Sequence, residues 1–254
     1  MTLSPLRAGQ LADQPHGFFG RSGGVSERPF AGLNTGPGSG DDPAAVEENR
    51  RLVAADLGTD RISTGHQIHS AIARYVDAPV GDHRPQGDGL VTDRPGLAIG
   101  VLTADCVPVL FSGHDVIGAA HAGWRGSLYG ILEATVDLMA EVGAPPQTIR
   151  CAIGPSLRAP AFEVGDDLKH EVETIFADAG HYFEPREEAG KWTFDHIGFV
   201  RCRLESVGIL PRHIEDVGGC TLSEPDRFFS YRHARQNGQS GYGRNLSAIM
   251  LKAS

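Results

Sequence analysis

Two short apolar runs separated by a polar break constrain the fold more than any other part of this sequence. The first run extends from Cys106 to Phe111 and the second from Val116 to His121, with the polar residues 112–115 between them. Short apolar runs bounded by turn residues are typical of a β-hairpin. If Phe111 lies opposite Val116, then Cys106 lies opposite His121. The sequence therefore predicts a thiol and an imidazole side by side on one face of a sheet.

Pro108 provides a check on this register. Proline has no N–H to donate, so it requires a position outside the hydrogen-bonded pairs of the ladder. A four-residue loop closed by a hydrogen-bonded Phe111–Val116 pair places both Pro108 and Cys106 in non-hydrogen-bonded pairs, whose Cα atoms lie only about 4.5 Å apart. Such closeness would suit two ligands of one metal ion, or a nucleophile and its base.

The composition is that of an ordinary soluble globular protein. Of 254 residues, 40% are hydrophobic and 22% are charged, which is enough for one large domain or two small ones with a full core. The net charge of −9 argues against nucleic-acid binding, because phosphate contacts require a basic surface. A small anionic substrate remains compatible with one or two buried arginines. No apolar run approaches the roughly 20 residues of a membrane span.

The N-terminus and the cysteines predict a cytoplasmic protein. The first residues lack the charged and apolar regions of a signal peptide. The cysteines at positions 106, 151, 202 and 220 contain no C-x-x-C pair and no disulfide-type density. We therefore expect a reduced protein for which no membrane, nucleic-acid or protein partner is predicted.

Alternating helix and strand signals predict one α/β (α+β) domain over residues 1–254, with mixed β-sheets layered with helices. The first helix begins at Pro43 after an Asp42 cap and ends before Gly58. Neither an internal repeat nor a clean linker interrupts the pattern. The other predicted helices are 127–142, 166–178 and 195–207, and further predicted strands are 97–102, 149–153, 213–217 and 244–251.

Arg21 and Arg125 are candidate anion-binding residues. Arg21 lies in the glycine-rich segment 16–36, where positive-φ turns permit close backbone approach. Arg125 lies in a glycine-flanked turn between a strand and a helix, and the N-terminus of a helix favours anions. We expect both arginines to contact substrate, and Asp88 is a further candidate for such a contact.

A third partner for Cys106 and His121 is available upstream. His66 and His69 are three residues apart, and on a strand they would point in opposite directions. With either histidine, the donor set of one thiolate and two imidazoles would suit Zn²⁺, and three protein ligands leave the open position of a catalytic site. Copper would bind the same set.

A cysteine hydrolase is the alternative that needs no metal. In that interpretation Cys106 is the nucleophile, His121 is its base, and Asp105 or Asp88 orients the imidazole. The spacing of the residues leaves both interpretations open. Stoichiometric zinc that is lost on Cys106→Ala would contradict the hydrolase.

At these residues the sequence resembles the YfiH-like family, also described as laccase-domain or polyphenol oxidase proteins. The resemblance extends from about residue 16 to 251, and its most specific part is the pair Thr-Ala-Asp-Cys and His-Ala-Gly-Trp-Arg-Gly at this spacing. The matching motifs are His16-Gly-Phe-Phe, Gly40-Asp-Asp-Pro, Glu48-Asn-Arg, Gln67-Ile-His69, Asp88-Gly-Leu, Thr103-Ala-Asp-Cys106, His121-Ala-Gly-Trp-Arg-Gly126, Ile153-Gly-Pro, Glu163-Val-Gly and Phe228-Phe-Ser-Tyr-Arg232.

The resemblance implies a YfiH-like fold and a catalytic metal site of His69, Cys106 and His121, with zinc as the expected ion and copper as the other possibility. It also implies phosphorolysis of purine nucleosides (adenosine, inosine, guanosine and S-methyl-5′-thioadenosine) and deamination of adenosine. Purine nucleosides and phosphate are thus the expected partners.

The sequence departs from its relatives at three positions. Ser156 and Ser223 stand where relatives often carry cysteine, and Phe162 replaces the usual tyrosine. The extra cysteines are therefore not needed as ligands, and a copper oxidase loses possible copper sites. Two further hypotheses stand beside the phosphorylase: a copper-dependent oxidase of phenols, and a non-enzymatic binder of metal or nucleoside.

Overall fold

Strands and helices alternate along residues 3–81 and 83–252, which are the residues that this computed structural model describes. The strands are β1 (His16–Phe19), β2 (Ile62–Thr64), β3 (Ala73–Tyr75), β4 (Gly89–Thr92), β5 (Ala98–Thr103), β6 (Val107–Gly113), β7 (Val116–Ala122), β8 (Arg150–Ile153), β9 (Glu163–Gly165), β10 (Phe183–Pro185), β11 (Lys191–Phe194), β12 (Ile214–Asp216) and β13 (Asn245–Met250). The helices are α1 (Pro43–Leu57), α2 (Trp124–Tyr129), α3 (Ile131–Val142), α4 (Asp166–Ile175), α5 (His196–Ser206) and α6 (Tyr231–Gln236). None of these helices has the length and apolar character needed to cross a bilayer.

The described strands form three sheets, which confirms the predicted α/β class with mixed sheets. The largest has the order β12-β8-β6-β7-β4-β3, the second β1-β13-β5-β2 and the smallest β10-β11-β9. The two larger sheets combine parallel and antiparallel pairs, because β12 is parallel to β8 and β2 is parallel to β5. The smallest sheet is antiparallel throughout.

The hairpin β6–β7 lies at the centre of the molecule, where both of its faces are covered. Leu110 and Ile117 pack with Ile99 of β5 in the core between the two larger sheets. Phe111 and Ala120 point to the opposite face and pack in the core that includes α3. This alternation explains why both strands are buried along their whole length and are mostly apolar.

The hairpin has a different register from the one predicted. Gly113, not Phe111, lies opposite Val116, and the loop contains only His114 and Asp115. Two-residue loops match the twist of the strands when the loop backbone adopts positive φ, and His114 has a φ of 50°. The polar residues 112 and 113 therefore extend the strand instead of ending it.

This correction moves Cys106 away from its predicted position. His121 lies opposite Pro108, and Cys106 precedes the first residue of β6. The register differs by two residues, so every side chain keeps its predicted face of the sheet. The thiol and the imidazole still converge, but diagonally and from the end of a strand.

The helix after β7 begins earlier than predicted and is divided in two. It starts at Trp124 and is interrupted at Gly130, which has a φ of 99° and separates α2 from α3. A left-handed glycine ends a helix without the steric cost that a Cβ would impose. The break lets α3 lie along the sheet while α2 remains next to His121.

The signals at the ends of α1 are confirmed. The Asp42 side chain accepts a hydrogen bond from the Ala44 N–H at 3.0 Å, and Gly58 ends the helix with a φ of 76°. In the second half of the chain, the predicted helices 166–178 and 195–207 are present as the shorter α4 and α5. The predicted strands 149–153, 213–217 and 244–251 correspond to β8, β12 and β13.

Candidate metal centre and substrate cleft

His69, Cys106 and His121 meet at one end of the central sheet. Each offers a ligand atom, and these three atoms all lie within 4.8 Å of one another. His69 is exposed in the loop between β2 and β3, Cys106 is half-buried before β6, and His121 is buried in β7. The two imidazole rings meet edge to face, with centroids 5.0 Å apart. His66, the other histidine considered from the sequence, lies on the wall of the adjoining cleft.

Asp88 fixes the orientation of this group from behind. Its carboxylate accepts hydrogen bonds from Nδ1 of His121 at 2.7 Å, from the N–H groups of His69 at 3.0 Å, Ser70 at 2.7 Å and Ile68 at 3.2 Å, and from the Ser70 hydroxyl at 2.7 Å. Burial alone would raise the pKa of Asp88, but the hydrogen bonds from His121 and Ser70 outweigh it and lower the pKa to about 2. With Nδ1 occupied, Nε2 of His121 is the nitrogen available to a metal.

This geometry corrects the expectation that Asp88 contacts substrate. Its side chain is fully buried and does not line the cleft. The sequence could show that a carboxylate was present, but not that a residue 33 positions before His121 would lie directly behind its imidazole. Asp88 is placed to position the ligands.

A second carboxylate, that of Asp105, holds the backbone next to Cys106. Asp105 has a φ of 97°, an uncommon value for a residue other than glycine. Its carboxylate accepts hydrogen bonds from the hydroxyls of Thr221 at 2.7 Å and Ser230 at 2.6 Å, and from the N–H of Arg232 at 2.7 Å. These contacts tie the Cys106 turn to the distant segment 221–232. Asp105 therefore does not orient the imidazole, and Asp88 does.

The close packing of thiol and imidazoles favours charge separation between them. Desolvation would raise the pKa of Cys106, but the neighbouring His121 and His69 outweigh it, so this pKa is lowered. Desolvation would likewise lower the pKa of His121, but Cys106 and Asp88 outweigh it and raise this pKa. Cys106 is thus disposed to be a thiolate, which is the form that binds metal ions.

The chemistry of this donor set fits a metal ion. One thiolate and two imidazoles suit zinc and copper, and the three together leave a position open to a water or a substrate atom. The carboxylate behind His121 is the outer partner that metal-bound histidines usually have. Gly123 lies against the group: a Cβ added there would be 3.1 Å from the His69 ring and 3.2 Å from the Cys106 sulfur.

A cleft of about 870 Å³ opens in front of the three residues. Its wall is basic and aromatic. The basic residues include Arg84, Arg125, Arg232 and Arg244, and the aromatic ones are Trp124, Phe162, Tyr231 and Tyr242. Within the described chain, Asp105 is the one acidic residue that lines the cleft, and its carboxylate is already bound. Such a cleft in a protein of net charge −9 is suited to an anion with an aromatic part.

The two arginines predicted from the sequence have different positions. Arg125 lines the cleft, with its guanidinium 4.3 Å from the centroid of the Trp124 ring. Arg21 does not reach the cleft, because its guanidinium donates to the carbonyls of Pro225 at 2.7 Å and Ala31 at 3.2 Å. The glycine-rich segment around Arg21 explains this difference, since it folds against residues near 225 and not over the sheet end. Arg21 therefore joins two loops and is not placed to contact substrate.

Sequence reasoning missed several residues of the cleft wall. These are Arg84, Arg232 and Arg244, to which the sequence patterns assign no role in a site. The signal was present for Arg232, which ends the motif Phe228-Phe-Ser-Tyr-Arg232. Nothing in the local sequence indicated that these three segments approach His69 and Cys106.

The fold and the site together define an α/β protein with an open His-Cys-His centre that can bind a metal ion. A family model described as multi-copper polyphenol oxidoreductase laccase matches residues 15–252. The chain belongs to this laccase-domain, or YfiH-like, family. The family model covers nearly all of the described residues, including the three ligand candidates.

Curated relatives carry the name purine nucleoside phosphorylase. The chain is 40% identical to that of Streptomyces coelicolor over 236 residues, covering 89% of this chain and 93% of the relative. The protein of Deinococcus radiodurans is 40% identical over 243 residues, covering 94% and 90%. The YfiH protein of Escherichia coli bears the same name and is 36% identical over 226 residues, covering 86% and 88%.

Solved structures have the same fold over nearly the whole chain. The Bacillus licheniformis hypothetical protein YfiH superposes with a TM-score of 0.87 at 32% identity, covering 95% of this chain and 94% of that protein. YlmD of Geobacillus stearothermophilus superposes with a TM-score of 0.85 at 31% identity, covering 97% and 94%. These similarities confirm the fold class predicted from the sequence.

Proposed function

We propose that the protein is a zinc-dependent purine nucleoside phosphorylase that also deaminates adenosine. The substrates are adenosine, inosine, guanosine or S-methyl-5′-thioadenosine, and phosphorolysis releases the purine base and the pentose 1-phosphate. The observation that carries the proposal is the combination of a His-Cys-His centre with arginines and aromatic rings in one cleft. The names of the relatives support the same reaction.

The metal centre would be formed by His69, Cys106 and His121. A bound zinc ion supplies a Lewis acid that can activate water for attack on C6 of adenine. The protein's own contribution is to fix the ligands. Asp88 binds His121 through Nδ1, so Nε2 is the nitrogen that would bind the metal ion after giving up its proton.

The cleft wall would bind the nucleoside and phosphate. Trp124, Phe162, Tyr231 and Tyr242 offer aromatic faces and edges to a purine. Arg125 lines the same cleft as the three ligand candidates and offers a planar guanidinium to an anionic oxygen. Phosphorolysis requires phosphate to be held against C1′ of the ribose, and a basic wall beside the aromatic one serves that requirement.

The reaction is tested with purified, zinc-loaded protein and adenosine, with and without phosphate. Chromatography resolves adenine, inosine and hypoxanthine. We expect adenine to form only when phosphate is present, and inosine to form without it. His69→Ala and His121→Ala should each lose bound metal and both activities together. Absence of adenine at full metal loading would refute phosphorolysis, and activity in metal-free protein would refute the metal dependence.

Two alternative functions have their own supporting observations. The description of the matching family favours a copper-dependent phenol oxidase, although one three-ligand group is found in the described residues. Oxygen uptake with a phenol, in proportion to bound copper, would support it. The hydrogen-bonded Asp88–His121 pair beside Cys106 favours a cysteine hydrolase. Stoichiometric zinc that disappears in Cys106→Ala would exclude that alternative.

A further inference from the structure

The cleft holds more unpaired positive charge than one bound anion requires. Arg84, Arg125, Arg232 and Arg244 all line it. None of the four forms an ion pair with a carboxylate in residues 3–81 and 83–252, whereas eight other arginines do. One phosphate dianion is satisfied by one or two guanidinium groups, each of which can bind it through two parallel hydrogen bonds. A bound phosphate would therefore contact only some of the four arginines.

The four arginines come from different segments of the cleft wall. Arg125 and Arg232 accompany aromatic residues that lie together: Arg125 stacks on Trp124, and Arg232 lies 5.4 Å from the centroid of Phe162. Trp124, Phe162 and Arg232 also line a second, adjoining groove. Of the four arginines, Arg232 alone lines that groove, and Arg84, Arg125 and Arg244 do not.

Arg244 is fixed against the loop of residues 36–39. Its backbone N–H donates to the Asn34 side chain at 2.9 Å, and its carbonyl accepts from the Thr35 N–H at 3.3 Å. Gly36 gives it room, because a Cβ added there would lie 2.5 Å from the Cγ atom of Arg244. The guanidinium carbon stands 3.8 Å from the Tyr242 ring centroid. This arginine is therefore held in place by the protein itself.

Arg50 adds a positive charge behind the same loop. Its guanidinium donates to the carbonyls of Thr35 at 3.2 Å and Ile62 at 2.7 Å, and no carboxylate pairs with it among the described residues. Desolvation, and after it the positive charge of Arg84, lower the pKa of Arg50 to about 10. The backbone places Arg84 beside this charge: the carbonyl of Pro85 accepts a hydrogen bond from the N–H of His66 at 2.8 Å, and the hydroxyl of Thr64 lies 3.4 Å from the Arg50 guanidinium.

The loop also offers a hydroxyl donor. Ser39 lines the cleft, and its oxygen accepts a hydrogen bond from the Asn34 side chain at 2.9 Å. Since that oxygen is an acceptor in this contact, its own proton remains to be donated. The neighbouring carboxylate of Asp41 is occupied by Ser26 and Asn34.

We propose that Arg84, Arg244 and Ser39 form a phosphoryl-binding subsite of the cleft, with Arg50 as a buried positive charge behind it. The ligand is a phosphate dianion, either free orthophosphate or the 5′-phosphate of a purine nucleotide. The proposal deepens the proposed function, because it assigns a place to the phosphate group of a substrate. Arginines that form no ion pair among the described residues, next to a loop with a hydroxyl donor, have the chemistry that recognises phosphate.

Binding without turnover tests the subsite. Titration calorimetry on zinc-loaded protein measures the Kd of orthophosphate alone, inosine alone and inosine 5′-monophosphate alone. Inosine has no amino group to lose and cannot be phosphorolysed without phosphate. The variants are Arg84→Gln and Arg244→Gln. Arg61→Gln is the control, since it removes one charge from an exposed arginine outside the cleft.

We expect each cleft variant to weaken binding of a phosphoryl probe about tenfold, with the Kd of inosine and all values for Arg61→Gln changed less than twofold. If orthophosphate is weakened and inosine 5′-monophosphate binds wild type no better than inosine, the ligand is orthophosphate. If the nucleotide binds wild type more tightly than inosine and the variants lose that gain, the ligand is the 5′-phosphate. Unchanged affinity for both probes in both variants, or an equal loss in Arg61→Gln, overturns the proposal.

Two further measurements keep the test decisive. Arg84 makes no hydrogen bond or ion pair within the described part of the chain, so Arg84→Gln should melt like wild type even if Arg244→Gln does not. Arg244→Lys keeps the positive charge but not the planar guanidinium group, and its affinity for the phosphoryl probes should lie between those of wild type and Arg244→Gln.

The subsite and the proposed function can fail separately. If the wild-type protein binds phosphate at this subsite but forms no purine base, only the proposed function is contradicted. Turnover with unchanged phosphate affinity in the variants contradicts only the subsite.

Discussion

Every hydrogen-bond partner of the Asp88 carboxylate among the described residues is a donor. Replacing one carboxylate oxygen by an NH₂ group should therefore disturb this site. The five hydrogen bonds to the carboxylate come from His121, from three consecutive backbone N–H groups and from the Ser70 hydroxyl. Asp88→Asn keeps the size but turns an NH₂ group toward donors. We expect a loss of about 2–3 kcal/mol in the free energy of unfolding, the cost of unsatisfied buried polar groups. Because the orientation of His121 is lost as well, metal affinity should fall about 10–100-fold.

Urea unfolding and a chelator competition measure these two effects. Asp115→Asn is the control, because it makes the same replacement at an exposed carboxylate in the hairpin loop. Its stability and metal affinity should equal those of wild type. A wild-type metal affinity in Asp88→Asn would show that the contact between Asp88 and His121 does not support the metal centre.

Gly123 keeps space open between the ligand candidates. Its backbone has a φ of −64° and a ψ of 160°, which alanine adopts without strain. The methyl group of Gly123→Ala would, however, lie 3.1 Å from the His69 ring and 3.2 Å from the Cys106 sulfur. His69 is exposed and can move away from the methyl group. This movement would take its imidazole out of position to bind the metal ion. We expect metal affinity to fall about 5–150-fold, which corresponds to the roughly 1–3 kcal/mol typical of overpacking.

The unfolding free energy of metal-free Gly123→Ala should remain within about 1 kcal/mol of wild type, since an exposed ring yields easily. Gly81→Ala is the matched control, because a Cβ there meets no atom of the described residues within 4 Å. Metal content of the two purified variants after equal loading gives the comparison. Full metal occupancy in Gly123→Ala would mean that the ligand group tolerates the methyl, and that its spacing is looser than the structure indicates.

At the scale of elements, the break between α2 and α3 depends on one residue. Gly130 has a φ of 99°, and a Cβ there would meet a single atom, at 3.5 Å in the Glu133 side chain. The cost of Gly130→Ala is therefore conformational and not steric. We expect the free energy of unfolding to fall by about 1–2 kcal/mol, with metal affinity unchanged. Thermal and urea unfolding measure the change, with Gly81→Ala as the control, and an unaltered stability would show that the left-handed turn is not required.

Elements with strong local signals could be predicted from the sequence, and those set by turn geometry could not. The Asp42 cap and Gly58 end α1 where predicted, because both act on their own backbone neighbours. The predicted hairpin register is wrong by two residues because the polar segment 112–115 predicts a four-residue loop, whereas Ser112 and Gly113 continue the strand. The division of one predicted helix into α2 and α3 was missed because an isolated glycine does not by itself indicate a left-handed conformation.

At the scale of the whole molecule, the cleft combines segments that are far apart in sequence. Cys106 and His121 could be paired in advance because one hairpin contains both. Arg84, Arg232 and Arg244 could not be assigned to the site, because their positions depend on sheet order and on long connections. The contact between Asp105 and Ser230 joins residues 125 positions apart. Local patterns carry no information about such contacts.

One buried histidine connects the fold with the acid stability of the whole molecule. His196, at the start of α5, is buried and its Nε2 lies 2.9 Å from the Ser127 hydroxyl. Desolvation lowers its pKa to about 3, whereas a histidine in an unfolded chain titrates near pH ~6.5. Between these values the unfolded chain binds a proton that the folded protein does not. Stability therefore falls as the pH drops below about 6.5, by up to about 1.4 kcal/mol per pH unit.

Urea unfolding of metal-free wild type and His196→Gln at pH 7.5, 6 and 5 tests this prediction, with glutamine chosen because it keeps a polar atom near Ser127 but does not titrate. We expect wild type to lose up to about 2 kcal/mol more than the variant between pH 6.5 and 5, because the variant lacks the group that the unfolded chain protonates in this window. His16 and His121 have shifted pKa values too, the first lowered and the second raised, but both are present in each protein. Their contributions cancel in the difference, so parallel stability curves for the two proteins would show that His196 is not buried in its neutral form.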